Sequence, residues 1–312
     1  MKTDPTAASG DGSASIAVVI PILNEVGRLL NKTLEALVVQ TRHAERVIVV
    51  DDGSEEPVRI PDDLTGAAEL RRLPANLGGA GARNRGAQMT ETKYVLFLNC
   101  DVLLDHRWLE RAIVFMESNP EVGAAGGTIQ PVVGKKILRD WRLQFVETKV
   151  HRSLLTQPTS VTWLVGHAIV VRRSAYDELG GFDEKYRCAG EDWDFCQRLI
   201  QAGYAVMHVP ELTAESVEAA SLDRLARKSI RNSGWDIRAR GPEHPCAAVQ
   251  PVRLIGATAS ILKLLAERTA RDVIRRRFRL VLVDVAVAFR SFVLIWRHLR
   301  ATRGRPSIGV SA

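Results

Sequence analysis

The sequence contains few cysteines, and their spacing suits neither a metal site nor a disulfide framework. Four cysteines occur in 312 residues, at Cys100, Cys188, Cys196 and Cys246. Structural zinc sites usually pair cysteines as CxxC, and small secreted scaffolds carry many more of them, so both classes are disfavoured. We therefore predict a reducing, cytoplasmic environment.

The first fifteen residues contain no apolar segment. They are polar and rich in Gly, Ser and Ala, whereas a secretory signal peptide has a hydrophobic core of roughly 7–15 residues. We expect residues 1–15 to form a disordered leader rather than a signal peptide.

An even distribution of positive charge is also absent. Residues 251–312 contain 13 Lys and Arg against 3 Asp and Glu, a net charge of +10. The whole chain carries +7, so the first 250 residues carry a net −3. Because the basic character belongs to the C-terminal tail alone, the high isoelectric point does not indicate nucleic-acid binding.

Apolar runs of strand length alternate with segments of helical periodicity from residue 16 onward. Strands are expected at 16–20, 47–50 and 94–98, with Pro21 ending the first, and helices at 25–40 and 192–202. This alternation predicts an α/β fold with a doubly wound, mostly parallel sheet and helices on both faces. We assign residues 16–235 to this domain and residues 236–312 to a basic, amphipathic helical extension.

Carboxylates directly follow the predicted strands. Asp51 and Asp52 end one apolar run, and Asn99-Cys100-Asp101 ends another. Ligands of open α/β sheets bind at the carboxyl ends of the strands, so we expect these groups to share a crevice with Glu191 and Asp192. Such oxygen ligands suit Mg²⁺ or Mn²⁺ bound together with phosphates. The simpler alternatives are an Asp-Gly turn and acids that stabilise helix N-termini.

Two further segments bring polar groups towards the same crevice. Asn24 and Glu25 follow the first strand and are candidates for a base or ribose contact, or for a helix cap. The small residues 78–81 precede a predicted helix at 82–89, where backbone N–H groups can bind phosphate oxygens. Arg83 can bind a diphosphate with two parallel hydrogen bonds, although a glycine cluster is also compatible with a simple loop. Together these groups indicate chemistry on a nucleotide-sugar.

Six sequence blocks resemble, in this order, the family 2 glycosyltransferases, whose fold is called GT-A. The blocks lie at 19–25, 49–54, 76–86, 97–102, 180–184 and 190–203, and the resemblance covers residues 16–235. It is strongest for the rhamnosyltransferase-like branch, in which Leu-Asn-X-Asp is common at the metal-binding turn. The resemblance implies inverting transfer of a sugar from a UDP- or dTDP-sugar to a hydroxyl of a glycan, a lipid-linked molecule or a small molecule.

The resemblance also implies roles for individual residues. Asp192 would be the general base, Glu191 would orient it or the acceptor, and Asp101 would bind the divalent cation. The nucleotide and diphosphate would contact Pro21, Asn24, Glu25, Asp51, Asp52, Arg83, Asn99, Cys100 and Arg231. The acceptor would lie against the segment 130–165 and a loop that carries Trp163, Gly166 and His167.

One metal ligand that this family often has is missing. A histidine commonly follows the strand that here ends near Pro210, but residues 210–218 contain none. Glu215 and Glu218 offer oxygen ligands in its place. We expect Mn²⁺ or Mg²⁺ as the cofactor, and the missing histidine leaves open whether the metal is essential.

The apolar segment 280–296 allows two interpretations. Asp284 and Arg290 interrupt it, it is short for a transmembrane helix, and a strongly basic stretch at 271–279 precedes it. The tail therefore lies either on an anionic membrane surface, or against the protein core or a second copy in a homodimer. The first alternative predicts a peripheral protein on the inner face of the cell membrane, with a lipid-linked or cell-envelope acceptor.

Two other classes of protein fit part of the pattern. Nucleotidyltransferases share much of this fold, but they usually have a long Gly-rich loop after the first strand, where this sequence has residues 21–25. A non-catalytic nucleotide-sugar-binding protein would not need both Asp101 and Asp192. Release of nucleoside diphosphate rather than pyrophosphate, dependent on Asp192, would distinguish a glycosyltransferase from both.

Overall fold

The computed structural model describes residues 14–24, 28–140, 155–187, 189–217, 221–223, 225–226, 266, 269–270 and 278–303. Of the leader predicted for residues 1–15, only the last two belong to this set. The carbonyl of Ser15 accepts a hydrogen bond from the Tyr94 N–H at 3.0 Å. This end of the predicted leader is therefore bound to the domain.

The first half of the domain consists of alternating strands and helices. Its elements are β1 (Ile16–Ile22), α1 (Arg28–Val38), β2 (Arg46–Asp51), β3 (Glu69–Arg72), α2 (Gly78–Ala87) and β4 (Tyr94–Leu98). Strands β1, β2 and β4 are runs of buried apolar and β-branched side chains, the composition expected of strands covered on both faces. The two predicted strands at 47–50 and 94–98 are confirmed within a residue of their ends.

The second half adds shorter elements and ends in a long helix. They are β5 (Val102–Leu104), α3 (Trp108–Ser118), β6 (Val122–Gly126), β7 (Ile129–Pro131), β8 (Thr159–Ser160), β9 (Ala168–Arg172), α4 (Arg173–Glu178), α5 (Glu191–Gln201), β10 (Ala205–His208), β11 (Ala214–Ser216) and α6 (Phe278–Arg303). The C-terminal helix falls within the predicted extension. Within the described residues, no helix has both the length and the hydropathy needed to cross a membrane.

Eight strands form one sheet, in the order β3-β2-β1-β4-β9-β6-β10-β8. The pairs among β3, β2, β1 and β4 are parallel, as is the pair β6–β10. Strand β9 runs antiparallel to both of its neighbours. A second, three-stranded sheet has the order β5-β11-β7. The prediction of a mostly parallel α/β sheet is confirmed.

Helices cover both faces of the large sheet and form two apolar cores. One core includes Leu30 and Leu34 of α1 together with Leu109 and Ile113 of α3. The other core includes small residues of α2 and the larger side chains of α4 and α5. Gly86 lets α2 lie close to the sheet, because a Cβ there would be 2.3 Å from Val19 Cγ1. This close packing brings the polar face of α2 to the end of the strands.

Four details differ from the predictions. Pro21 does not end β1 but lies inside it, opposite Val50 of β2. The pairing of β1 with β4 ends at Val19, so at Pro21 the strand has a neighbour on one side only, where the missing N–H is tolerated. The glycines at 78–81 belong to α2 rather than to a turn before it. The strand β3 was not predicted, since its four side chains are all exposed and lack an apolar pattern. The helical periodicity of 192–202 predicts that Ile200 faces inward, but its side chain is 40% exposed.

Candidate active site

The predicted site residues meet at one edge of the large sheet. Strands β1, β2 and β4 run parallel and end there, while the antiparallel β9 begins there. The turn after β4 is joined to the segment before β9, because the Asn99 N–H donates to the His167 carbonyl at 2.8 Å. The structure thus brings the predicted metal turn and the predicted acceptor loop into direct contact.

Asp51 is buried and fully engaged in hydrogen bonds. Its Oδ1 accepts from the Ser54 N–H at 2.9 Å, and its Oδ2 accepts from the Val58 N–H at 3.3 Å and from Arg72 Nη1 at 3.0 Å. Burial acts to raise the pKa of Asp51, but the hydrogen bonds from Ser54 and Val58 and the charge of Arg72 outweigh it, and the pKa lies below its usual value. The carboxylate is therefore held charged at the end of β2.

Asp52 fixes the beginning of α2. Its two oxygens accept hydrogen bonds from the N–H groups of Leu77 and Gly78, at 2.7 and 2.9 Å. Gly78 has φ +83°, and a Cβ there would be 2.4 Å from the Arg187 carbonyl oxygen, so the position requires glycine. Burial raises the pKa of Asp52, although these two hydrogen bonds oppose the rise. The Gly78 N–H, one of the predicted phosphate donors, is thus bonded to Asp52.

Arg83 connects the separate parts of the site. Its side chain is buried, and its Nη1 donates to Glu191 Oε1 at 2.7 Å. Its Nη2 donates to Asn99 Oδ1 at 3.2 Å and to the Gly166 carbonyl at 3.1 Å. A single guanidinium group therefore joins the turn after β4, the loop before β9 and the first turn of α5.

Asp192 lies in the first turn of α5, where Gly190 at φ 97° precedes the helix. Its Oδ2 accepts from the Gly166 N–H and its Oδ1 from the Trp193 N–H, both at 2.8 Å. Burial raises the pKa of Asp192 to about 6, and the negative charge of Glu191 is the second cause of the rise. The hydrogen bonds from Gly166 and Trp193 and the charge of Arg83 lower the pKa, but by less. A Cβ at position 166 would lie 3.1 Å from Asp192 Oδ2, so glycine allows the loop to approach the carboxylate.

Asp101 is held by the second sheet. Its Oδ2 accepts from the Ser216 hydroxyl at 2.9 Å, and its carbonyl accepts from the Val217 N–H at 2.9 Å. Glu215 is exposed while its neighbours in β11 are buried, so it points to the opposite face from Ser216. This orientation gives no support to Glu215 as a metal ligand beside Asp101.

The predicted divalent-cation site is supported by only part of a ligand set. No group of three or more His, Cys, Asp or Glu side chains among the described residues is arranged to hold a metal ion. However, Mg²⁺ is commonly bound by one or two carboxylates together with substrate phosphates. Asp101 and the Ser216 hydroxyl form an all-oxygen pair that fits such a site when the substrate supplies the other ligands.

Four further predicted residues are described after or near the ends of β1 and β4 and in the segment before β9. Pro21 is half-buried in β1. Asn24 has φ 52°, a conformation that asparagine tolerates, and its N–H donates to Ser54 Oγ at 2.9 Å. The Cys100 carbonyl accepts from the Thr33 hydroxyl at 2.9 Å, which connects the predicted metal turn to α1. Trp163 is half-buried against the core that includes α5. Three predicted residues, namely Glu25, Glu218 and Arg231, lie outside the described residues.

Sequence reasoning missed several residues that build the site. Arg72 lies on the unpredicted β3 and also donates to the Ser54 carbonyl at 2.7 Å. Asn84 of α2 accepts from the Tyr176 hydroxyl at 2.6 Å and donates to the Phe182 carbonyl at 2.9 Å. Only the position of Asn84 next to Arg83 in the motif could have indicated its role.

Comparison with known proteins assigns the chain to a family. The family model described as glycosyl transferase family 2 matches residues 17–180, which is more than half of the chain. The chain belongs to glycosyl transferase family 2. A second model, described as the N-terminal domain of galactosyltransferase, matches residues 150–220. The family favours the transferase interpretation over the nucleotidyltransferase and binding-protein alternatives.

Two curated relatives of this family 2 chain come from Mycobacterium tuberculosis. A pre-mycofactocin glycosyltransferase is 34% identical over 233 residues, which are 72% of this chain and 48% of that protein. An N-acetylglucosaminyl-diphospho-decaprenol L-rhamnosyltransferase is 27% identical over 244 residues, which are 66% of this chain and 77% of that protein. The chain thus spans about half the length of the first of these relatives.

A solved structure supports the fold assignment. The chain is similar to a mannosyltransferase from Pyrobaculum calidifontis, in complex with GDP-Man and Mn²⁺, with a TM-score of 0.56 and 17% sequence identity. The match covers 89% of this chain and 86% of the other. The likeness confirms the predicted GT-A architecture.

Proposed function

We propose that this family 2 chain is an inverting glycosyltransferase that uses a UDP- or dTDP-sugar as donor. The observation that carries the proposal is the position of Arg83, whose guanidinium joins Asn99 at the predicted metal turn to Gly166 and Glu191 beside Asp192. A donor diphosphate bound near this cation would have its leaving group beside the candidate base. The family membership supports the reaction type.

Arg83 would stabilise the negative charge that develops on the leaving nucleoside diphosphate. A guanidinium has five N–H donors, and its three hydrogen bonds to protein oxygens leave donors for phosphate oxygens. Because the group is buried and fixed on three sides, it needs little reorganisation during the reaction. Asp51 and Asp52 hold the neighbouring loops and, in the proposal, also line the base and ribose side.

Asp101 and Ser216 would hold a divalent cation together with the donor phosphates. When bound, Mn²⁺ or Mg²⁺ would act as a Lewis acid towards the diphosphate leaving group. The Ser216 hydroxyl orients the Asp101 carboxylate through their hydrogen bond. Ser216 belongs to the segment 210–218, in which the resemblance implies a histidine that this sequence lacks.

Asp192 would accept the proton from the acceptor hydroxyl as its oxygen attacks the sugar. A pKa of about 6 leaves the carboxylate mostly deprotonated at neutral pH, yet more basic than an ordinary aspartate. The N–H groups of Gly166 and Trp193 fix its orientation. General-base catalysis of this kind typically contributes about 10²–10⁴-fold to the rate.

The acceptor side is proposed to be the loop that carries Trp163, Gly166 and His167. Gly166 contacts both Asp192 and Arg83, so an acceptor bound against this loop would lie next to the base. We propose a glycan or lipid-linked acceptor, in keeping with a relative named for a diphospho-decaprenol substrate.

Calorimetric titration with UDP-, dTDP- and GDP-sugars, with and without Mn²⁺, tests the donor site. We expect one UDP- or dTDP-sugar to bind, more tightly with Mn²⁺. The Asp101→Ala variant should lose the metal-dependent part, whereas the control Glu215→Ala should retain it because its side chain faces away. Absence of binding by every donor, or release of pyrophosphate on turnover, would contradict the proposal.

A further inference from the structure

The C-terminal helix α6 is attached to the domain by one face. Its buried apolar side chains Leu280, Val283 and Val287 form a cluster with Leu225, and Ile137 and Leu138 pack against that cluster. Ile137 and Leu138 follow β7, the neighbour of β11 in the small sheet. The helix is therefore attached on the side of the domain that carries Ser216 and, through it, Asp101.

The polar side chains described in α6 are turned towards the protein. Asp284 is buried, and Arg290 Nη2 donates to Asp223 Oδ2 at 2.9 Å. The Ser291 hydroxyl is also buried and donates to the Val287 carbonyl at 2.8 Å. The two charges that interrupt the apolar segment 280–296 thus lie away from the outer face.

The outer face of α6 is an apolar stripe. Among the side chains described for this helix, every exposed one is apolar, namely Phe278, Leu282, Val285, Phe289 and Phe292. Their spacings of four, three, four and three residues place them along one line of the helix. Leu282 and Phe289 are each 71% exposed. A continuous apolar face of this kind usually marks an interaction site.

The charges at the two ends of the helix indicate what covers the stripe. Arg275, Arg276 and Arg277 directly precede the helix in the sequence, and Arg279 is its second residue. Arg297, Arg300 and Arg303 belong to its last two turns, and Arg305 follows its end in the sequence. A second copy of α6, parallel or antiparallel, would bring these positive ends together. An anionic lipid surface instead offers acyl chains for the stripe and phosphate groups for the arginines.

We propose that the outer face of α6, defined by these five exposed side chains, binds flat on an anionic phospholipid bilayer. The stripe enters the boundary between headgroups and acyl chains, and the terminal arginines contact lipid phosphates. The inner face keeps the domain attached through Leu225 and Asp223. Membrane binding by α6 does not depend on the proposed function. The further conclusion that the acceptor side lies near the membrane does rest on the proposed function.

Vesicle sedimentation of the full chain tests the proposal. Vesicles of phosphatidylcholine alone are compared with vesicles containing a quarter of phosphatidylglycerol, at low and high salt. We expect binding to the anionic vesicles, weakened by salt. The triple variant Leu282→Ser/Val285→Ser/Phe289→Ser should bind at least ~10-fold more weakly, since it removes three inserted apolar side chains. The matched control Val39→Ser/Val114→Ser changes exposed apolar residues elsewhere and should bind as the unaltered protein does.

Two results would overturn the proposal. Equal binding of the triple variant and the unaltered protein would show that the stripe does not contact lipid. A dimer in light scattering without vesicles that the triple variant loses would identify a second copy as the occupant. The vesicle experiment contains no donor or acceptor, so its failure would not contradict the proposed glycosyltransferase function. In the same way, a failure of the calorimetric donor titration would not contradict membrane binding by α6.

Discussion

The crevice at the sheet edge and the outer face of α6 depart in opposite ways from the usual distribution of side chains. In the crevice, charged groups such as Asp51, Asp52 and Arg83 are nearly inaccessible to solvent. On α6, phenylalanine and leucine side chains are exposed while an aspartate is buried. Both arrangements cost free energy unless other contacts compensate for them, because buried charges lose their hydration and exposed apolar side chains remain in water.

The two regions differ in how their cost is offset. The buried charges of the crevice are already compensated within the protein, since each forms several hydrogen bonds. The stripe on α6 has no comparable compensation within the described residues. The contacts that order the crevice are thus internal, whereas the stripe would be covered only by the lipid surface proposed above.

The largest effect is expected from Asp192→Asn. The variant keeps the shape of the side chain but removes the base, so kcat should fall by about 10²–10⁴-fold while donor binding changes little. Nucleoside diphosphate release is the measurement. Asp194→Asn is the control, because Asp194 lies in the same helix and pairs with Arg198 at 2.8 Å. Equal losses in both variants would contradict the assignment of Asp192.

The same carboxylate predicts the pH dependence. Because its pKa is raised to about 6, kcat/KM should fall as the pH decreases through that value. The pKa of Asp192 in the folded state lies above the ordinary 3.8, so ionising this carboxyl group costs more free energy in the folded than in the unfolded protein. This destabilising contribution is complete above about pH 6 and nearly absent below about pH 4. The Tm of Asp192→Asn relative to the unaltered protein should therefore rise from pH 4 to pH 7.

A smaller effect, on stability, should distinguish two ion pairs made by helix α2. Arg83→Ala leaves Glu191, whose side chain is only 13% exposed, without this ion-pair partner, and we expect a loss of about 3 kcal/mol in the free energy of unfolding. Arg85→Ala removes a pair with Glu184 whose side chains are about 40% exposed, and should cost less than ~1 kcal/mol. Urea denaturation measures both. Similar costs would show that the crevice pair is no better protected from solvent than the surface pair.

The smallest effect is expected on the outer face of α6. Leu282→Ser should change the free energy of unfolding by less than ~0.5 kcal/mol, because the Leu282 side chain is exposed to water in both the folded and the unfolded protein. Val283 is the next residue but lies on the inner face, in a cluster with Leu225. Val283→Ser should therefore lower the free energy of unfolding by about 2 kcal/mol, because it leaves a gap in that cluster. Urea denaturation of the vesicle-free protein compares them. A large cost for Leu282→Ser would mean that the stripe is packed within the protein, which would remove the contrast with the crevice.

Strong apolar runs followed by acids made much of the site predictable. The turn at Asn99 to Asp101 and the acids Glu191 and Asp192 were identified because polar groups end strands or begin helices there. Arg72 was missed because β3, with four exposed side chains, has no apolar pattern. Ser216 was missed because a single hydroxyl in a three-residue strand carries no sequence signal.

The sequence by itself determined the α/β class and the edge of the sheet at which the polar groups collect, since both follow from local periodicity and from strand ends. Only the tertiary structure decided that Asp52 binds the start of α2, and that Arg83 pairs with Glu191, 108 residues away. It also decided which of the two apolar faces of α6 packs on the domain. Those outcomes depend on contacts between residues distant in the chain, which local patterns do not specify.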